Sequence, residues 1–155
     1  MRILLTAGPT WEAIDAVRYI GNRCSGQMGA AIATNAVDEG HDVTLIAGPV
    51  AAAMPAGIKR INVETAQEMR DAVFAEFPQN DLLIMAAAVA DYRSASTHPA
   101  KLPRYDRMTL ELEPTPDILA ELSAIKQSNQ RTIGFSLEMA GNLQRSREKL
   151  VRKKL

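Results

Sequence analysis

The sequence predicts an α/β fold, a doubly wound and mostly parallel sheet. Three observations carry this. Short apolar runs recur along the chain and two stop at Gly-Pro. Stretches with helical spacing separate them. One run, Leu82 to Met85, is apolar at every position, as a strand covered on both faces must be. At 155 residues the chain has the length of one domain and can bury an ordinary core.

Taken in order, Arg2 to Thr6 is a buried strand closed by Gly8-Pro9. Met28, Ile32 and Ala36 share one face of a helix that Gly40 stops. Asp42 to Ile46 is the next strand, ended by Gly48-Pro49, and Arg60 to Val63 the one after. Thr65 and Glu68 have capping-box spacing, with Met69, Val73 and Phe77 on the face behind them. Leu82 to Met85 follows. Tyr92 to Arg107 has no period, contains Pro99 and Pro103, and is expected to be a long loop or flap. Met108 to Leu112 alternates and predicts a strand with one wet face. Thr115-Pro116 predicts a helix start, with threonine as cap and proline at the first helical position. Ile118, Leu119, Leu122 and Ile125 would form its buried stripe. Thr132 to Ser136 is a last strand, and Asn142 to Leu155 a basic amphipathic helix with Leu143, Leu150 and Val151 inward. This alternation makes βαβ units with right-handed crossovers, a Rossmann-like architecture.

Composition removes several function classes. Lys plus Arg (18) equals Asp plus Glu (18), so no basic field argues for nucleic acid. The single cysteine, Cys24, allows no internal disulfide and no cysteine-rich zinc site, and His41 and His98 suggest no metal cluster. The N-terminus does not read as a signal peptide. The longest apolar run, Leu82 to Ala90, is too short to span a bilayer, so a cytoplasmic protein without membrane partners is expected.

In an open parallel sheet, ligands bind beyond the carboxyl ends of the strands. The segments leaving those ends are Ala7 to Ser25, Ala47 to Pro55, Ala86 to Arg104 and Ser136 to Gly141. The first is far longer than the roughly 2–6 residues usual for a βα loop, and it runs into "GNRCSGQMG", Gly21 to Gly29. Helix-to-strand packing is one reading of these glycines. The other is an anion site, with backbone N–H groups and the Ser25 hydroxyl at a helix N-terminus.

Several motifs occur in fixed order: Leu5-Thr-Ala-Gly-Pro-Thr10, Asp15-Ala-Val-Arg-Tyr-Ile-Gly-Asn22, Ser25-Gly-Gln-Met-Gly29, Ala87-Ala-Val-Ala-Asp-Tyr92, Lys101, Pro116-Asp-Ile-Leu119 and Gly134-Phe135. On these the chain resembles phosphopantothenoylcysteine synthetase over essentially its whole length. In many bacteria that domain is the C-terminal half of a fusion with a flavin-dependent decarboxylase. Here Met1 opens directly on the synthetase strand, so no FMN is expected. Family members continue past the last helix, so residues 1–155 are expected to lack the C-terminal end of the domain.

The resemblance implies a reaction. The carboxylate of 4′-phosphopantothenate is activated by a nucleoside triphosphate, CTP in bacteria with ATP as the alternative, and Mg2+ is its default partner. Cysteine then displaces the nucleotide. Such chemistry requires alignment and positive charge and no protein nucleophile. By resemblance, Asn22 acts on the acyl intermediate and Lys101 neutralises the triphosphate during activation. Met85, Ala86 and Ala87 contact the base through their backbone, and Asp91 contacts ribose or metal. Pro116, Asp117, Ile118 and Leu119 form a nucleotide-contacting helix start. Phe135 packs on the nucleotide, and Lys149 and Lys153, four apart on one helix face, contact phosphate. Arg18, Asn22, Ser25 and Gly26 are the phosphopantothenate-binding set. The resemblance also implies a homodimer, in which the flap and the Met108 to Leu112 strand pair between subunits. Without it, Asn22 and Asp91 read as turn residues, Phe135 as core and the lysines as wet surface.

The chain departs from the family pattern. The flap reads Lys101-Leu102-Pro103-Arg104 where lysine, apolar, lysine, lysine is usual. Gln27 stands for a lysine and Trp11 for an arginine, leaving three cationic positions neutral. A nucleotide-binding homologue without ligase activity is therefore the second reading. An NAD(P)-dependent oxidoreductase is the third, with glycines wrongly spaced for it.

Overall fold

The structure, a computed structural model, describes residues 1–50, 52–136 and 143–153. Most of the Ser136 to Gly141 segment, Asn142, and the last two residues of the expected final helix lie outside the described residues.

Five strands form one parallel sheet: β1 (Arg2–Ala7), β4 (Asp42–Ala47), β5 (Lys59–Asn62), β6 (Leu82–Met85) and β9 (Arg131–Gly134). Their order, β5-β4-β1-β6-β9, reverses direction between β1 and β6, which is the switch point of a doubly wound sheet. Alternate side chains of β1 go to opposite faces. Ile3, Leu5 and Ala7 pack with Val43, Leu45 and the buried alanines Ala33 and Ala36 of α1 (Gln27–Asp38). Leu4 packs with Ile46, Leu83 and Met85 against Met69, Val73 and Phe77 of α2 (Ala66–Glu76) and its 3-10 extension, and against Ile118 and Leu122 of α3 (Ile118–Leu122). Two apolar layers thus clamp the sheet, and most of the hydrophobic stabilisation resides there. The capping box at α2 forms as expected: Thr65 Oγ1 accepts from Glu68 N at 3.1 Å, and the Glu68 carboxylate accepts from Thr65 N at 3.4 Å.

The long approach to α1 is a small antiparallel hairpin, β2 (Trp11–Ala13) and β3 (Tyr19–Gly21). The fold holds it firmly. Trp11 N donates to Glu64 O at 2.7 Å, and the buried Glu12 carboxylate accepts the Ala66 N–H at the start of α2 at 2.8 Å. Gly26, at φ +78°, turns the chain into α1. Gly29 lies where a Cβ would come within 2.4 Å of Ala7 Cβ, so helix-to-strand packing accounts for that glycine.

Five sequence expectations are corrected. The Tyr92 to Arg107 segment begins with a strand, β7 (Tyr92–Ser94), paired antiparallel with β8 (Leu112–Pro114). Met108 to Leu112 is not the strand: pairing starts at Leu112, where the Arg93–Glu113 ion pair at 2.8 Å fixes the register, and Met108 and Leu110 are exposed. Thr115-Pro116 does not start the helix. Thr115 Oγ1 donates to the Ala90 carbonyl, and Asp117 caps α3 by accepting from Ala120 N at 3.2 Å. Ile125 lies beyond the end of α3 and is exposed. In α4 (Leu143–Arg152), Leu150 and Val151 are exposed rather than inward, because α1, α2 and α3 already cover the sheet faces.

Candidate functional site

The carboxyl edge of the sheet opens at the switch point. There the exits of β1 and β6 run side by side. Ala86 N donates to Thr6 O (3.2 Å), Ala87 N to Thr6 Oγ1 (3.2 Å), Ala88 N to Gly8 O (2.8 Å) and Ala90 N to Thr10 Oγ1 (2.9 Å). These amides are engaged within the fold. These N–H groups are therefore not free for a ligand, and the carbonyls of Ala88 to Asp91 already accept from Asn22 and Thr115.

Beyond it lies a cleft of about 770 Å3. Its base is Met85 and Ala87 to Ala90, with Asp91 and Tyr92 at the rim. Pro114 to Leu119 form the facing wall, and Asn22, Phe135, Ser136, Arg152 and Lys153 complete it. Tyr92 and Phe135 are each 54% exposed, so two aromatic rings face solvent at a cavity. Asp117 has a double task. Its Oδ1 caps α3 and also accepts from Lys153 Nζ at 2.7 Å, which ties the end of α4 to the cleft wall.

Asn22 stands at a junction. Its Nδ2 donates to Val89 O (2.9 Å) and Ala88 O (3.3 Å), which joins β3's exit to the cleft floor. It also lines a second pocket, of about 660 Å3, with Ser25, Cys24, Arg23, Pro9, Pro49, Val50 and the Trp11 and Tyr19 rings. Those rings stack with centroids 4.2 Å apart. Ser25 Oγ accepts from Gln27 N at 3.4 Å at the start of α1.

Of the residues singled out from sequence, Asn22, Met85, Ala87, Asp91, Pro116, Asp117, Ile118, Leu119, Phe135 and Lys153 line one cleft. Ala86 is buried behind it, Ser25 borders the adjoining pocket, and Gly26 is the turn into α1. Arg18 and Lys101 do not line the cleft. Arg18 pairs with Asp15 and donates to Leu102 O at 2.9 Å, and Lys101 is exposed on the flap. The Lys149 side chain lies outside the described part of α4. Sequence reasoning missed Tyr92 and Arg152, though one ends the Ala87 to Tyr92 motif and the other adjoins Lys153. It also missed Trp11 and Tyr19 as a pocket wall, because their stacking needs the hairpin.

Among the described residues, no helix is long and apolar enough to cross a membrane, and no cluster of three His, Cys, Asp or Glu side chains is placed to hold a metal ion.

Comparison with known proteins extends this picture. The profile of the DNA/pantothenate metabolism flavoprotein C-terminal domain matches residues 1–155. The chain is 47% identical over 156 aligned positions to the coenzyme A biosynthesis bifunctional protein CoaBC of Vibrio vulnificus (strain YJ016), covering 99% of the chain and 39% of that protein. It is 42% identical over 159 positions to the CoaBC protein of Escherichia coli (strain K12), covering 100% and 39% respectively. The chain thus spans about two-fifths of the length of these relatives. The crystal structure of the C-terminal domain of a coenzyme A biosynthesis bifunctional protein CoaBC superimposes with a TM-score of 0.87 at 42% identity, over 99% of this chain and 72% of that one.

Proposed function

We propose that this chain, which belongs to the DNA/pantothenate metabolism flavoprotein C-terminal domain family, joins 4′-phosphopantothenate to cysteine through an acyl-cytidylate. One observation carries the reading. Residues from five separated motifs, Asn22, Met85 with Ala87 to Asp91, Pro116 to Leu119, Phe135 and Lys153, meet in a single cleft at the switch point.

In the first step a carboxylate oxygen of phosphopantothenate forms a bond to the α-phosphorus of CTP. The bond from that phosphorus to the bridging oxygen breaks, and pyrophosphate leaves. In the second step the cysteine amine forms a bond to the acyl carbon, loses a proton, and cytidine monophosphate leaves. Neither step requires a protein nucleophile; both require alignment and charge compensation. The exposed Phe135 ring packs on the nucleotide. Met85 to Ala87 offer carbonyls to the base, and Asp91 takes ribose or the Mg2+ that accompanies the triphosphate. Mg2+ typically keeps phosphate oxygens and water among its ligands, so one or two carboxylates suffice. Lys153, just beyond α4, contacts the phosphates, a role the family resemblance assigns to Lys149 as well. Lys101 comes in from the flap as charge builds on the leaving pyrophosphate. Ser25, Gly26 and Arg18 hold the phosphopantothenate side.

Asn22 belongs between the two pockets. Its longer bond, to the Ala88 carbonyl, is the one to exchange for the acyl oxygen, while Val89 O keeps the side chain oriented. ATP in place of CTP remains the alternative co-substrate, since base contacts run through backbone. Association as a homodimer is supported by the exposed apolar side chains Tyr92, Met108, Leu110 and Leu112 around the β7–β8 pair. A cytoplasmic setting follows from the nucleotide co-substrate.

The neutral residues Gln27, Trp11 and Pro103 favour a second reading, a nucleotide-binding homologue without ligase activity. Release of cytidine monophosphate, measured with 4′-phosphopantothenate and CTP in the presence and absence of cysteine, separates the two. Release stimulated by cysteine is expected. CTP binding with no release under either condition makes the chain a binding module.

A further inference from the structure

We propose that Asp15 is a positioning residue that latches the flap by its main chain and so sets where Lys101 stands. The catalytic part of this inference rests on the ligase reading; the latch itself does not.

Asp15 lies in the turn between β2 and β3, and its side chain is wholly buried. Such a carboxylate is costly to bury unless its oxygens are satisfied. Here Oδ1 accepts from Val17 N and Arg18 N, each at 2.9 Å, and Oδ2 accepts from Arg18 Nε at 2.8 Å, from Arg18 Nη2, and from Leu102 N at 3.1 Å. Arg18 Nη2 in turn donates to Leu102 O at 2.9 Å. The Asp15–Arg18 pair therefore grips one flap residue at both its N–H and its C=O, across more than eighty positions of sequence. Two more bonds run the same way: His98 N donates to Ile14 O at 3.0 Å and Thr97 Oγ1 to Ala13 O at 3.4 Å.

Between β7 and β8, residues 95–111 carry no helix or strand. The latch is thus a fixed point within a long irregular segment, one residue from Lys101. Pro103, with its restricted φ, follows immediately and stiffens the chain leaving the latch. The pairing with Arg18 and the three backbone N–H donors hold the Asp15 carboxyl well below the usual carboxylate range despite its burial. The latch is accordingly ionised whenever the protein is near neutral pH. Because it reads main chain, it constrains the position of residue 102 irrespective of side chain there. Arg18 is engaged in this grip and only partly exposed, so its influence on the acyl substrate includes the placement of the flap.

The flap contains its own reporters, since trypsin can cut after Lys101, Arg104 and Arg107. In Asp15→Asn, cutting at these bonds in the intact, ligand-free protein is expected to speed up about tenfold, the change in local opening that loss of a charge-assisted bond brings. Asp81→Asn, which breaks the Arg2–Asp81 pair at the opposite end of the sheet, should leave flap cutting and activity at parental values. Pyrophosphate release at saturating CTP should fall at least about tenfold in Asp15→Asn with the CTP dissociation constant within about twofold of the parent, because a displaced Lys101 affects the transition state more than ground-state binding. If Asp15→Asn does not fold, Arg18→Lys, which keeps the charge and loses the planar fork, replaces it with the same expected directions. Unchanged flap cutting in a folded variant overturns the latch. Faster cutting with unchanged pyrophosphate release overturns the positioning of Lys101. Absence of pyrophosphate release in the parent itself overturns the ligase reading and leaves the latch to stand on proteolysis.

Discussion

The two pockets on the carboxyl edge are built in opposite ways. Beneath the hairpin pocket the backbone segments approach closely, although Tyr19, Gly21, Asn22, Arg23 and Ser25 at its rim are exposed. A Cβ on Gly48 would lie 1.8 Å from the Pro9 carbonyl oxygen, one on Gly29 would strike Ala7, and the Trp11 and Tyr19 rings stack on each other. Around the β6–β9 cleft the walls are open. Tyr92 and Phe135 expose half their surface, and Asp117 is exposed while its partner Lys153 is largely covered. One wall is fixed by backbone contact and the other carries rings and charges with room to adapt. The proposed ligation, which must align two substrates, would use both, and Asn22 is the residue shared by the two.

Breaking the junction should have the largest effect. Asn22→Asp places a carboxylate where the Val89 and Ala88 carbonyls accept. Amide product is expected to fall on the order of 100-fold while the acyl-nucleotide accumulates, the scale for removing one well-placed donor. Quenched reactions resolved by chromatography measure this, and a parental rate of product formation removes the role from Asn22. Breaking the fixed wall comes next. Gly48→Ala should lower unfolding stability by roughly 3 kcal/mol, since the clash is with backbone and cannot relax by a side-chain turn. Denaturant titration checks it, and a midpoint equal to the parent's would mean that the close approach is absent in solution.

The open wall predicts a smaller change of another kind. Phe135→Ala should weaken CTP binding by about fivefold through lost ring stacking, with the melting temperature of the free protein almost unaltered, because the ring is half exposed. Calorimetric titration alongside a thermal melt distinguishes this from a core role, which would lower the melting temperature first. The smallest effect concerns acid. The Asp15 carboxyl titrates lower in the fold than in the unfolded chain, so its stabilisation is complete above the unfolded pKa of about 4 and declines as pH falls below it. The melting temperatures of the parent and Asp15→Asn should differ at pH 7 and converge as the pH is lowered below about 4. A gap independent of pH would mean that ionised Asp15 does not hold the turn.

The same contrast explains what sequence could reveal. β1, β4 and β6 were legible because their apolar runs are local, and Gly-Pro marks the ends of the first two. The Thr65–Glu68 box was legible because its partners sit three residues apart. The three-residue strands β2, β3, β7 and β8 have no period of their own; each exists through its partner. Thr115 has the composition of a cap, but the Ala90 carbonyl, 25 residues away, takes its hydroxyl. In the site, Met85, Ala87, Asp91 and Pro116 to Leu119 were singled out through motifs, whereas the grip on Leu102 was hidden because it is made to main chain.

The activation half-reaction tests the central claim most directly. Pyrophosphate release from CTP and 4′-phosphopantothenate, with cysteine left out, is measured for the parent and for Lys101→Ala. The account predicts release by the parent that depends on phosphopantothenate, and a loss on the order of 100- to 1,000-fold in the variant with CTP binding retained. Release by Lys101→Ala as fast as by the parent, or none by a parent that binds CTP, would contradict it.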